Sequence, residues 1–185
     1  MISVQVTTWF LQMTDPARLG DAPAPDPDLE VRRAELPSPE LSRMLYAGVG
    51  ADWYWTDRLS WTWDRWLEWL DRSELETWVA YLRGTPAGFF ELERDGDSVE
   101  IAAFGLLPAF IGRGIGTRLL HRAIARAWEL APRRVWVHTC SLDGPAALRT
   151  YQRRGLEIYD ERVEDVLLPD EPPEPWPGAD RPAAA

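Results

Sequence analysis

One stretch limits the possible folds more than any other: Gly105-Leu106-Leu107-Pro108-Ala109-Phe110-Ile111-Gly112-Arg113-Gly114-Ile115-Gly116-Thr117-Arg118-Leu119-Leu120. It leads from an apolar strand through a glycine-rich turn into an amphipathic helix. Gly112, Gly114 and Gly116 carry no side chain to hold a ligand off the backbone. The first free amides of the helix point outward, with the positive end of the helix dipole behind them. Such a turn is either an anion cradle suited to a pyrophosphate or simply a tight strand-to-helix connection. Two common nucleotide fingerprints do not fit. No GxxxxGK[ST] occurs, and the chain has no lysine. A dinucleotide fold would place its GxGxxG after the first strand of a βαβ unit, whereas this turn lies late in the chain.

Hydrophobic period assigns the elements on either side. Ile2 to Leu11 alternates as a strand, and Asp15 to Asp28, with Pro16, Pro23, Pro25 and Pro27, reads as a linker or surface loop. Leu29 to Leu36 alternates again, and Ser38-Pro39 caps a helix with Leu41, Met44 and Leu45 on one face. Trp63, Trp66, Leu67 and Leu70 form a helical stripe suited to core packing. Glu76–Arg83, Ala87–Arg94 and Val99–Leu107 are three consecutive antiparallel strands, joined by turns at Gly84-Thr85-Pro86 and Asp95-Gly96-Asp97. After the glycine turn the helix runs to Pro132, with His121 among its solvated arginines. Arg134–Cys140 is a buried strand, parallel to Val99–Leu107 because a helix crosses between them. Ala146–Arg154 is a short helix closed by Gly155, and Leu156–Leu168 is a final strand. Residues 1–168 are expected to form one domain, and residues 169–185 a proline-rich acidic tail too polar to pack.

The formal charge of -10 argues against nucleic acid and anionic membranes as partners and tolerates a cationic small substrate. One cysteine, Cys140, excludes an internal disulfide. The start lacks a secretory signal, and Ile101–Ile111 is too short to span a bilayer, which suggests a cytoplasmic protein. The all-arginine, alanine- and proline-rich composition suits a bacterial GC-rich genome. Two histidines and one cysteine offer no convincing metal site. Trp53-Tyr54-Trp55, with Asp52, Asp57 and Asp64 around them, either pack or wall a site for an amine by face contact and charge.

The glycine stretch resembles the acetyl-CoA loop of the GNAT N-acetyltransferases, Q/R-x-x-G-x-G/A, with Gly114 and Gly116 at its glycines and Ile111 where Gln or Arg is usual. A second segment, Leu142 to Leu156, resembles the family's N-x-x-A-x-x-x-Y-x-x-x-G-F. Ala147, Tyr151 and Gly155 are in place, Gly144 replaces the asparagine, and Leu156 replaces the phenylalanine. The resemblance covers Leu29 to Leu168. It implies an α+β GNAT fold: a mixed, mostly antiparallel sheet with a splayed parallel strand pair, flanking helices and, here, an extra N-terminal strand.

The resemblance implies acetyl-CoA as cofactor, its pantetheine arm along Phe104, Gly105 and Leu106. The diphosphate would take main-chain amides of Ile111, Gly112, Arg113, Gly114, Ile115, Gly116 and Thr117. Because those contacts are main-chain, Ile111 weakens rather than abolishes binding. Arg113 or Arg118 either adds a charge-assisted contact or stays solvated. Tyr151 is expected to protonate the departing thiolate and an amide near Leu106 to hold the oxyanion. Glu100 is the candidate base. Alternation places it with Ala102, Phe104 and Leu106 on one face unless a bulge intervenes. Glu91, Glu93 or a water relay are the alternatives. Cys140, with His138 two residues earlier, is either an acyl-accepting nucleophile or a buried structural cysteine, and the second is the stronger reading. The activity implied is direct acetyl transfer to a primary amine of a small molecule held near Trp53, Tyr54 and Trp55. A non-catalytic CoA- or partner-binding module, or another acyl donor or acceptor, fits the same fold. Either form allows a homodimer.

Overall fold

The computed structural model describes residues 1–176 and 179. Seven strands form one sheet: β1 (Ile2–Met13), β2 (Leu29–Arg33), β3 (Leu75–Leu82), β4 (Thr85–Asp95), β5 (Ser98–Leu106), β6 (Arg134–Cys140) and β7 (Glu157–Leu168). Their order across the sheet is β2-β3-β4-β5-β6-β1-β7, and every neighbouring pair is antiparallel except β5 and β6. The N-terminal strand is no appendage. It lies between β6 and β7 and pairs with both.

The β3–β4 hairpin turns on Arg83 and Gly84, both at positive φ, the two-residue geometry that a twisted hairpin favours. Thr85 and Pro86, expected in the turn, already belong to β4.

Four α-helices cover the sheet: α1 (Pro39–Gly50), α2 (Trp63–Leu70), α3 (Ile115–Glu129) and α4 (Ala147–Arg153). Ser38 caps α1 by accepting from the Leu41 amide, with Pro39 in the first turn, as the sequence predicts. Thr62 caps α2 in the same way. The tryptophan stripe of α2 is only partly core. Trp66 is fully buried, whereas Trp63 is 53% exposed and donates its indole N–H to Glu40 at 2.9 Å.

Two apolar clusters lie on opposite faces of the sheet. One joins Phe90, Leu92, Val99, Ile101, Val135 and Val137 to Leu119, Leu120, Ala123 and Ile124 of α3 and Tyr151 of α4. The other joins Val79, Phe89 and Ala103 to Leu45, Tyr46 and Val49 of α1 and Trp66 of α2.

Two irregularities shape the centre of the sheet. In β5, Ala103 pairs with Glu91 and Ile101 with Leu92, so Ala102 is an extra, unpaired residue. This bulge reverses the alternation. Val99 and Ile101 face α3, and so do Phe104 and Leu106 beyond it, which leaves Glu100 on the opposite face from Phe104. The second irregularity is the parallel pairing of β5 with β6, which comprises Ser98–Arg134, Val99–Val135 and Glu100–Trp136 and then stops, although both strands continue. The two strands part beyond Glu100.

Asp170, early in the predicted tail, pairs with the N-terminal ammonium at 3.1 Å. Residues 177, 178 and 180–185 of that tail lie outside the described residues.

Candidate active site

A cavity of about 1010 Å³ fills the space where β5 and β6 part. At one end lies the glycine turn. Gly112 and Gly114 have φ of +82° and +76°, which a residue with a side chain rarely adopts, and a Cβ at Gly112 would meet nothing within 4 Å. Neither packing nor backbone conformation requires glycine at Gly116, where a Cβ would come no closer than 3.5 Å to Leu106. Gly114 caps α3 without a side-chain acceptor, and no acid occupies the first helical turn. The helix start is thus open to an external anion.

Of the residues the sequence assigns to this cradle, Ile111, Gly112, Gly114, Gly116 and Thr117 line the cavity. Arg113 and Ile115 do not contribute their side chains. Ile115 is buried in the core, and the Arg113 guanidinium lies 5.7 Å from the centre of the Phe110 ring. Arg118 is engaged elsewhere: it donates to the Ala24 carbonyl at 3.0 Å and to the Gly114 carbonyl at 3.1 Å, tying the proline-rich loop to the turn.

Phe104, Gly105 and Leu106 form the wall beside the gap. Their β4 side is fully paired, whereas no strand pairs with the side facing β6. Tyr151, from α4, also lines the gap, with its ring edge-on to Phe104 at 5.9 Å. Burial raises the Tyr151 phenol far above its ordinary value and the Asp143 carboxylate adds to the shift, so the hydroxyl keeps its proton.

The loop after α1 also walls the cavity. Trp53, Tyr54 and Trp55 all line it. Trp53 lies against Gly144, while Trp55 packs on Tyr46 and Phe89 and donates to Asp143 at 3.4 Å. Asp143 also accepts from the Thr139 hydroxyl at 2.6 Å and the Cys140 amide at 2.9 Å. The two tryptophans thereby fasten this loop to the β6–α4 connection.

The aromatic cage for a cation exists a few residues away and is already filled by the chain. The Arg58 guanidinium lies 4.3 Å from the centre of Trp69 and 5.4 Å from those of Tyr46 and Trp61. It donates to Glu91 at 2.7 Å, and Trp69 donates to the same carboxylate at 3.2 Å. Glu93 is similarly held by Arg72 at 2.7 Å. Both alternative bases are therefore neutralised by arginines.

Glu100 does not line the cavity. Its Oε1 lies 3.1 Å from Nδ1 of His138, which does line it. The hydrogen bond to Glu100 raises the imidazole above its ordinary value, burial works against the shift, and Glu100, Asp143 and Asp57 add charge that favours the cation. Sequence reasoning weighed His138 only beside Cys140. The Glu100–His138 contact depends on a strand register that no local pattern encodes. Cys140 lines the cavity, but burial, followed by Asp143, pushes its thiol up, away from the nucleophilic thiolate. His121 is not a solvated residue: its Nδ1 is buried without a partner, and burial, then Arg154, lowers the ring below its ordinary value. Among the described residues no group of three or more His, Cys, Asp or Glu side chains comes together as a metal site requires.

The model of the acetyltransferase (GNAT) family matches residues 40–156. A GCN5-related N-acetyltransferase from Sphaerobacter thermophilus superposes with a TM-score of 0.64 at 19% identity, over 86% of this chain and 51% of that one. One from Kribbella flavida gives 0.62 at 19% identity, over 87% and 58%. An aminoglycoside acetyltransferase from an uncultured soil metagenomic sample gives 0.59 at 16% identity, over 70% and 88%. These likenesses are of fold, and the chain spans little more than half the length of the first two. No curated protein matches.

Proposed function

The chain belongs to the GNAT acetyltransferase family, and we propose that it transfers an acetyl group directly from acetyl-CoA to a primary amine of a small molecule. The observation that carries this is the end of β5–β6 pairing at Glu100–Trp136, because it opens a gap running from an uncapped, glycine-lined helix start to an aromatic loop. An elongated thioester with a diphosphate fits such a space: its anionic part meets main-chain amides, and its amide-bearing arm meets an unpaired strand edge.

Acetyl-CoA supplies the activated acyl group. The amides of Gly112 to Thr117 would hold the diphosphate, with Ile111, whose own amide donates to the Pro108 carbonyl at 3.2 Å, setting the turn, and the backbone of Phe104, Gly105 and Leu106 the pantetheine arm. An amide near Leu106 serves as oxyanion donor. Tyr151 holds, on the α3–α4 side of the gap, the proton that a departing thiolate needs. Trp53, Tyr54 and Trp55 exclude water and bound the acceptor end, while Asp57 and Asp143 favour a cationic acceptor there. The soil enzyme of this fold is named for aminoglycosides, and a polycationic acceptor of that kind suits a chain of net charge -10. Residues 1–168 carry this activity as one unit.

The test is to incubate the full chain with acetyl-CoA and a panel of polyamines, aminoglycosides and arylalkylamines while following free thiol. Amine-dependent thiol release, lost about 100-fold or more in Tyr151→Phe, supports the transferase. Tight CoA binding with no turnover on any amine would instead indicate a binding module.

A further inference from the structure

We propose that His138 takes the proton from the acceptor amine and that Glu100 is its positioning residue rather than the base itself. This rests on the transferase function proposed above. Of the two groups, only His138 borders the cavity. Its side chain is 51% exposed, against 19% for Glu100. The carboxylate lies at the last paired position before the strands part, 3.1 Å from Nδ1. A carboxylate there holds the proton on Nδ1, which leaves the lone pair on Nε2.

The faces of the sheet give the histidine its side of the reaction. Val135 and Val137 of β6 pack into the cluster under α3, so Trp136 and His138 project from the opposite face, and His138 borders the cavity that the loop carrying Trp53 to Arg58 also lines. Tyr151 comes from α4 on the other face. A proton acceptor and a proton donor thus flank one gap from opposite sides, which direct transfer requires. Nε2 removes one proton from the ammonium, and the freed lone pair adds to the thioester carbonyl; the oxyanion so formed, held by the amide near Leu106, collapses and breaks the C–S bond. The thiolate takes the Tyr151 proton. The second proton leaving the amine nitrogen restores Tyr151, and the imidazolium releases its own to solvent. No further reactant is needed.

The charges around the ring fix the sign of the pH dependence. Glu100 faces it from β5, Asp57 from the loop after α1, Asp143 from the β6–α4 loop and Cys140 from its own strand. Arg58, in the same cavity, is occupied by Glu91. On the β1–β7 side, Phe10 lies 6.0 Å from the imidazole, with Arg162 over its ring and Tyr159 beside it. Trp136, 6.2 Å away, carries Arg134 over its own ring. The carboxylates favour the imidazolium, while catalysis needs the neutral ring. Activity should therefore rise with pH through the histidine titration, and removing the Glu100 charge should move that rise to lower pH.

The test pairs two measurements on the full chain. One is an NMR titration of the His138 ring in wild type and Glu100→Gln, assigned with His121→Gln. The other is the pH profile of kcat/KM with acetyl-CoA and an amine that turns over. Glu100→Gln is expected to shift the NMR midpoint and the acid limb of the profile together to lower pH. His138→Gln is expected to lose about 100-fold or more in kcat with CoA binding retained. An acid limb that stays put while the NMR midpoint moves, an NMR midpoint that does not move, or undiminished kcat in His138→Gln overturns the proposal. Wild type that turns over no amine overturns the transferase function and this proposal with it. Wild-type turnover with an unmoved acid limb overturns this proposal alone.

Discussion

Arg58 shows how one side chain can serve as both core and site. It is 12% exposed, its partner Glu91 is 1% exposed, and three aromatic faces surround the guanidinium. Arg58→Met would leave the Glu91 carboxylate buried with only the Trp69 indole as donor. Breaking one side of such a pair typically costs about 3–5 kcal/mol, so urea unfolding of Arg58→Met should show a loss of that order. A loss below about 1 kcal/mol would mean that Glu91 finds water or a proton instead. Tyr151→Phe makes the opposite prediction. The ring stays packed on Phe104 and only the hydroxyl is lost, so stability and CoA affinity should hold while kcat falls about 100-fold or more. Equal losses in stability and kcat would make Tyr151 a packing residue.

At the scale of elements, β1 and the glycine turn carry separable burdens. β1 joins β7 to the rest of the sheet, and Leu11, near its C-terminal end, is fully buried. Leu11→Ala should therefore cost about 2–5 kcal/mol in denaturant unfolding without changing CoA affinity per folded molecule. Gly112→Asp should do the reverse. The position is open and left-handed, a conformation aspartate tolerates better than most residues, yet its carboxylate would face the cradle. CoA affinity measured by calorimetry should fall about 10-fold or more with little loss of fold. Most of the elements, the Ser38 cap and the parting of β5 and β6 were legible, because hydrophobic period, Ser38-Pro39 and the two family motifs are local or consecutive signals; the Thr62 cap of α2 was not read. The place of β1 between β6 and β7 was not, since a strand's period says nothing about its neighbours. Nor was the Ala102 bulge, which turns Glu100 away from Phe104 and brings it to His138; Ala102 and Ala103 look alike until the register of β4 is known. The filled cage beside Trp53 to Trp55 was hidden for a similar reason. The sequence shows a cluster of tryptophans near Trp53 to Trp55 but not that Tyr46, Trp61 and Trp69 close around Arg58.

Over the whole molecule, charge would separate the two substrates proposed. A net charge of -10 attracts a cationic amine and repels an anionic thioester carrier. Raising ionic strength from about 0.01 to 0.15 M shortens the Debye length from about 30 to 8 Å. KM for a polyamine should then rise while KM for acetyl-CoA falls or stays level; both rising together would contradict an amine drawn by the field of the chain. No helix among the described residues is long and apolar enough to cross a membrane. All of this presupposes that the gap between β5 and β6 holds the acyl donor. Backbone hydrogen exchange of the full chain, with and without CoA, reads that directly. Protection is predicted at Phe104 to Leu106 and at Gly112 to Thr117; no protection there, or protection confined to another surface, would contradict it.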